Sequence, residues 1–244
     1  MSAEDTGGRS VHARRWLRIA VLALFALVLV LFFALGGPRY LTLDTIKANR
    51  AVLVELTGTH YAAALALAFF VYVLTVTFSL PGAAVLSLTA GFLFGRWIGL
   101  VLTVGAATLG ATLVFLGARY VFADVARRRL GRVYERMHDG FARHGFNYLL
   151  FLRLVPLFPF FLVNLAPAIA DMRLSTYVVA TAIGIIPGSF VFVNLGEALG
   201  RIESTRDLVA PGTLAAFGLL GVLALLPVLW RKRRTRPASG VSET

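Results

Sequence analysis

The chain has 244 residues, 58% of them hydrophobic and 15% charged, with a mean hydropathy of +0.80. Soluble domains run nearer half apolar and a quarter charged, so the composition excludes an ordinary soluble globule. Its 24 Lys and Arg against 12 Asp and Glu give a net charge of +12, but these charges lie between apolar runs and read as membrane topology signals, not as a nucleic-acid-binding face.

Residues 1–18 carry Arg9, Arg14, Arg15 and Arg18 and precede a charge-free run, 19–37. A hydrocarbon core of about 30 Å takes about 20 helical residues, so this run spans. No small-x-small cleavage site follows it, so it reads as an uncleaved anchor and not a secretory signal. Segment 38–60 is a predicted loop. The stretch 61–95 is uncharged and broken by Pro81-Gly82. Proline lacks an amide donor and clashes with the preceding turn, so the stretch is expected to bend there into a hairpin. A spanning helix follows at 97–118.

Segment 119–143 interleaves seven arginines with Tyr120, Val121, Val125, Leu130, Val133, Tyr134, Met137 and Phe141. It is either an amphipathic helix lying on the membrane face or a plain basic connector. A second apolar stretch, 146–170, is broken by Pro156 and Pro159 and carries Arg153. Spanning helices are then predicted at 174–196, with an internal Ile-Pro-Gly around Pro187, and at 208–230. Residues 231–244 form a basic tail.

The two broken stretches belong to an internal repeat with a shift of 78 residues, which lays Pro81 on Pro159 and Gly110 on Gly188. Each unit, 61–118 and 139–196, is a hairpin followed by one crossing, so the second unit starts from the opposite face. The expected fold is an all-α integral membrane protein: an inverted repeat of two re-entrant helical hairpins, each followed by a transmembrane helix, plus N- and C-terminal transmembrane helices. With the hairpins returning to their own side, every strongly basic segment falls on one face. The positive-inside rule makes that face cytoplasmic and puts both termini there, in a multi-pass protein of the plasma membrane.

Catalytic constellations are missing. The absence of cysteine excludes disulfides and thiolate chemistry. His12, His60, His138 and His144 have no metal-ligand spacing, and no Gly-rich loop ends in Gly-Lys-Ser/Thr. The reading is therefore a non-enzyme without cofactor or metal.

Small residues recur every four positions at Gly91, Gly95, Gly99, Thr103, Ala107 and Ala111, and again at Ala180, Gly184 and Gly188. Such stripes let helix backbones approach closely in lipid. Together with Gly110 and Pro187 they form either a movable seam between the repeats or static packing.

Arg153 is the sharpest single residue. Counted from Phe146 at 1.5 Å per residue it lies roughly 10 Å deep, where a charge costs about 2.5–3.5 kcal/mol on insertion scales. It either snorkels to the headgroups or faces a cavity, where its guanidinium can pair with a phosphate. Asn164 is a second polar group on the returning arm. Helices that restart after Pro81-Gly82 and Pro159 would aim unpaired amide hydrogens at the same place. This set favours anionic headgroups of membrane lipids as partners; nucleic acid is not expected, and self-association is left open.

At these residues the chain resembles the SNARE-associated Golgi protein family, also called the VTT-domain family, relatives of the DedA membrane proteins. The resemblance covers about 61–200 and rests on LPGAAVLSLTAGFLFGRWIG, GATLVFLGAR, FLRLVPLFPFFLVNLAP and GIIPGSFVFVNLG. Its most specific part is Arg153, Pro156, Pro159 and Asn164. The resemblance implies two inverted re-entrant hairpins and movement of lipids between leaflets. DedA relatives carry acids in the first hairpin and a second arginine in the second; here 61–95 has no acid, and Asn164 stands where that arginine is expected. Proton coupling is thereby placed in doubt, with Asp171 and Glu197 the nearest candidates. Rival readings are a transporter of ions or small anionic solutes, and a noncatalytic membrane organiser.

Overall fold

A computed structural model of the chain describes residues 5–154 and 160–201, and every regular element among them is an α-helix. Pro156, Pro159, the helix expected at 208–230 and the basic tail lie outside the described residues. Among the described residues three helices contain segments long and apolar enough to cross a membrane: α1 (Asp5–Ala34), α6 (Ala83–Leu130) and α9 (Leu174–Arg201). In lipid a helix satisfies its own backbone, which is why uncharged runs of this length adopt it.

The predicted loop 38–60 is helical, as α2 (Gly37–Tyr40), α3 (Leu43–Ala48) and α4 (Arg50–Thr59). Helices this short are marginal alone and draw their stability from docking. Leu41 packs over Gly82, and Arg50 lies over the Phe92 ring while its Nη2 donates to the Gly200 carbonyl at 3.4 Å.

α5 (Tyr61–Thr77) ends in a Schellman turn: the Leu80 amide donates to the Thr75 carbonyl and the Ser79 amide to that of Val76, with Ser79 at φ 52°. Pro81 and Gly82 follow, and the first arm of α6 (83–94) runs back along α5. Tyr61 meets Phe94 edge-on, and the Tyr72 hydroxyl lies 3.0 Å from Ser87 Oγ. At Gly95 the backbone turns through φ 75°, a conformation that residues with a Cβ avoid. The chain reverses so sharply that a Cβ at Gly99 would lie 2.8 Å from the Ala90 carbonyl oxygen. The long arm of α6 (96–130) then follows α5, with Gly110 against Val73 and Val76.

α7 (Arg132–Leu154) bends at His144, where φ is −133° and ψ 22°. α8 (Phe160–Ile169) ends in a second Schellman pair, Met172 to Pro167 and Asp171 to Ala168, with Asp171 at φ 61°. α9 follows. Segment 120–143 is divided between α6 and α7. α6 continues through Ala118 to Leu130, Gly131 turns at φ 46°, and α7 carries the chain directly into the second apolar stretch.

The long arm of α6 and α9 lie antiparallel. Arg96 Nε is 2.9 Å from Glu197 Oε2 at one end, Arg119 is paired with Asp171 at the other, and Phe115 stacks on Tyr177 between them at 4.3 Å. Arg96 and Arg119 stand about 23 residues apart, roughly 35 Å of helix, close to the thickness of a hydrocarbon core. The ion pairs therefore bracket the apolar span. With the 78-residue shift Arg119 falls on Glu197, so the two ends carry the same kind of pair with the signs exchanged.

Asp171→Asn is expected to lower the melting temperature of the purified protein. Its cost should lie between the ~1 kcal/mol of exposed pairs and the ~3–5 kcal/mol of buried ones, since both partners are partly covered. The exchanged pair Arg119→Asp with Asp171→Arg should recover part of the loss; an unchanged melting curve for the single variant would refute a clamping role.

Candidate functional site

A cluster of buried polar groups lies where α7, α8 and α9 meet. Arg153, in the last turn of α7, turns its guanidinium into the protein: Nη2 donates to Asn164 Oδ1 at 2.7 Å, to the Tyr177 hydroxyl at 3.0 Å and to Thr181 Oγ1 at 3.3 Å. Its Cζ also lies 5.8 Å from the Tyr177 ring centroid. Asn164, Tyr177 and Thr181 are fully buried. The guanidinium is thus directed at α8 and α9.

The backbone allows this approach because position 184 is glycine. A Cβ there would sit 2.6 Å from the Cβ of Arg153, so a larger residue on α9 would push α7 away. Tyr177 is the hub. Its oxygen accepts from Arg153, and its single proton can serve either Asn164 Oδ1 at 2.8 Å or the Ala111 carbonyl of α6 at 3.1 Å. Through that carbonyl the cluster is joined to the first half of the chain.

Asn164 has a defined orientation. A guanidinium only donates, so Oδ1 must face Arg153 and the amide NH2 must point away. That nitrogen has no hydrogen-bond partner among the described residues. Two donors are therefore held ready in a place closed to water, where an unmet donor costs about 1–3 kcal/mol. An oxygen-rich ligand would satisfy them.

An apolar cleft of about 360 Å³ is bounded by Phe25 of α1, Phe78 and Ser79 of the first turn, Leu113 and Val121 of α6, and Leu165 of α8. Asn164 and Leu165 are neighbours in sequence, so consecutive residues of one short helix serve a polar cluster and an apolar cleft.

The other sequence-singled residues fall as follows. Gly82 and Gly95 occupy positive-φ turns at the two ends of the first arm of α6. Gly91 crosses α9 so closely that a Cβ would lie 1.9 Å from the Val193 carbonyl oxygen. Gly188, one residue past Pro187 within α9, meets nothing within 4 Å, so no close approach requires glycine there. Asp171 and Glu197 each engage an arginine at a helix end. No group of three or more His, Asp or Glu that could hold a metal occurs among the described residues.

Tyr177, Thr181 and Gly196 were not singled out in the sequence. The available signal was the spacing: 177, 181 and 184 share one face of α9 at i, i+4 and i+7, two polar side chains and a glycine inside an apolar helix.

Antiparallel apolar helices bracketed by ion pairs, with the polar side chains turned inward, define a multi-pass helical membrane protein. Residues 80–198 match the VTT domain. The chain is 26% identical to Transmembrane protein 41B of Danio rerio, over 95% of this chain and 86% of that protein. It is 29% identical to a Transmembrane protein 41 homolog of Dictyostelium discoideum, over 77% of this chain and 57% of the relative. It is 33% identical to an uncharacterized membrane protein of Arabidopsis thaliana, over 67% and 58%. No solved structure matches. With the VTT domain at residues 80–198, the chain is a VTT/DedA-family membrane protein.

Proposed function

We propose that the chain moves phosphate-bearing lipids between the two leaflets, along a path between two inverted re-entrant hairpins. The inverted relation is supported by the matched order of helix, return arm and long helix in both halves, and by the sign-exchanged ion pairs at the ends of α6 and α9. Arg153 pairs with the phosphate by exchanging its neutral oxygen partners for anionic ones. Asn164 adds its unsatisfied amide, and the restarts after Pro81-Gly82 and after Pro159 supply further donors. The glycine-rich crossings allow the halves to part. The basic segments orient both termini to the cytoplasm of the plasma membrane.

One observation carries a lipid over a small solute. Neighbouring residues of α8, Asn164 and Leu165, serve the polar cluster and the apolar cleft, which suits a molecule with a charged head and an apolar tail.

The test is reconstitution into liposomes containing a fluorescent phospholipid. Dye in the inner leaflet is expected to become accessible to a membrane-impermeant quencher, in sealed vesicles and in proportion to protein. Protection equal to that of protein-free vesicles would overturn the reading. Flux of small anions without lipid movement would replace it with the solute-transporter reading.

A further inference from the structure

We propose a second binding site in this protein, a cleft at the membrane face that takes the phosphate of an anionic glycerophospholipid headgroup. Where α7 bends at His144 its halves diverge around the turn between α8 and α9, leaving a cleft of about 500 Å³. That volume falls in the range of about 300–1,000 Å³ typical of small-molecule sites. Its polar lining is His138, His144, Asn147, Asp171, Arg173 and Thr176.

The chemistry of this lining favours an anion. The Asp171 carboxylate is engaged by Arg119, whose Nη1 also donates to the Met172 carbonyl at 3.1 Å. His138 Nδ1 donates to the Ala170 carbonyl at 3.0 Å, which fixes the α7 side of the cleft against the turn. Arg173 is exposed, and no acid pairs with it among the described residues. Its carbonyl accepts the Tyr177 amide, so it stands where α9 begins, the end of a helix at which the macrodipole disfavours a cation. Helix stability therefore does not account for an arginine here, and an anion in the cleft would.

Position selects a lipid over free phosphate. The cleft opens beside the Arg119–Asp171 pair that marks one end of the apolar span, and exposed Tyr148 and Leu174 flank it. A headgroup seated there leaves its acyl chains in the bilayer, with an aromatic ring at the interface. Phe146 of the cleft and Arg153 lie on one arm of α7, about 10 Å apart along the helix. The cleft would be the waiting position on the proposed transport path, but binding to it does not depend on that reading.

The test uses the full chain in detergent, with Tyr148→Cys as its sole cysteine carrying an environment-sensitive dye. Dihexanoylphosphatidylglycerol is expected to give a saturable change, weakened about tenfold by Arg173→Ala through loss of a charge-assisted contact and largely kept by Arg173→Lys. Arg153→Ala should bind as the parent does. Equal binding by Arg173→Ala overturns the proposal, as does an equal response to dihexanoylphosphatidylcholine or to inorganic phosphate. A response lost in Arg153→Ala but kept in Arg173→Ala would move the lipid to the deep cluster, refuting the cleft while leaving the transport reading intact. Intact cleft binding in protein that moves no lipid in liposomes would refute the transport reading alone.

Discussion

Arg153→Ala is expected to slow lipid movement between leaflets by about tenfold or more in reconstituted vesicles, while the protein still folds. The magnitude follows from the ~1.5–3 kcal/mol of a hydrogen bond to a charged group, made only when the phosphate is in place. The fold should survive because Asn164, Tyr177 and Thr181 each have another partner within reach once the guanidinium is gone. Asn164 Oδ1 can keep the single Tyr177 proton at 2.8 Å, and the Ala111 carbonyl, inside α6, still accepts from its own helix. Thr181 can turn its hydroxyl to the carbonyl one turn back. Arg153→Lys should recover only part of the rate, since an ammonium lacks the planar fork that pairs two phosphate oxygens. Parent rates in Arg153→Ala would remove the residue from the mechanism, and a collapsed size-exclusion profile would make its role structural.

The second large effect is expected at the crossing of the first arm of α6 with α9. A Cβ at Gly91 would lie 1.9 Å from the Val193 carbonyl oxygen, and one at Gly196 would lie 1.9 Å from that of Leu88. Both obstacles are helix backbone, which cannot swing aside as a side chain can. Gly91→Val and Gly196→Val should therefore each force the helices apart, at or above the ~1–3 kcal/mol usual for overpacking. The expected readout is loss of the monodisperse peak on size exclusion, or a melting point lowered by many degrees. Gly188→Ala provides the contrast, since nothing lies within 4 Å of a Cβ there and its melting curve should match the parent's. Equal behaviour of the three variants would mean that the crossing is not as tight as described.

These two expectations differ in how far they could be read from sequence. Arg153 stood out because a lone charge in an apolar run is costly, and that cost is visible in the order of residues. Gly91 and Gly188 looked alike, since both belong to four-residue stripes of small side chains. Whether a small residue is needed depends on the backbone facing it, and the stripe does not record which helix that is. Tyr177 and Thr181 were hidden for a related reason. Aromatic and hydroxyl side chains are ordinary in membrane helices, and only the arrival of Arg153 and Asn164 from other elements makes a cluster of them.

The helical boundaries divide in the same way. Long uncharged runs fixed α1, the long arm of α6 and α9, because a segment in lipid must satisfy its own backbone. The short helices of 38–60 and the passage of α6 beyond Ala118 lacked such a signal: their stability comes from docking and from continuing an existing helix, not from their own periodicity.

By itself, the amino-acid sequence determined that this protein is helical and lives in a membrane, that its chain bends at the stretch broken by Pro81, and that one arginine lies where lipid would not accept it. Hydration costs of charges and backbone groups act locally along the chain, so composition and spacing carry them. Only the tertiary structure decided that Arg153 turns inward to Asn164, Tyr177 and Thr181, that ion pairs close both ends of α6 and α9, and that Gly91 and Gly196 are the close crossings. Those facts depend on which helices meet and at what separation, and contacts between residues distant in the chain leave no mark in the order of either partner alone.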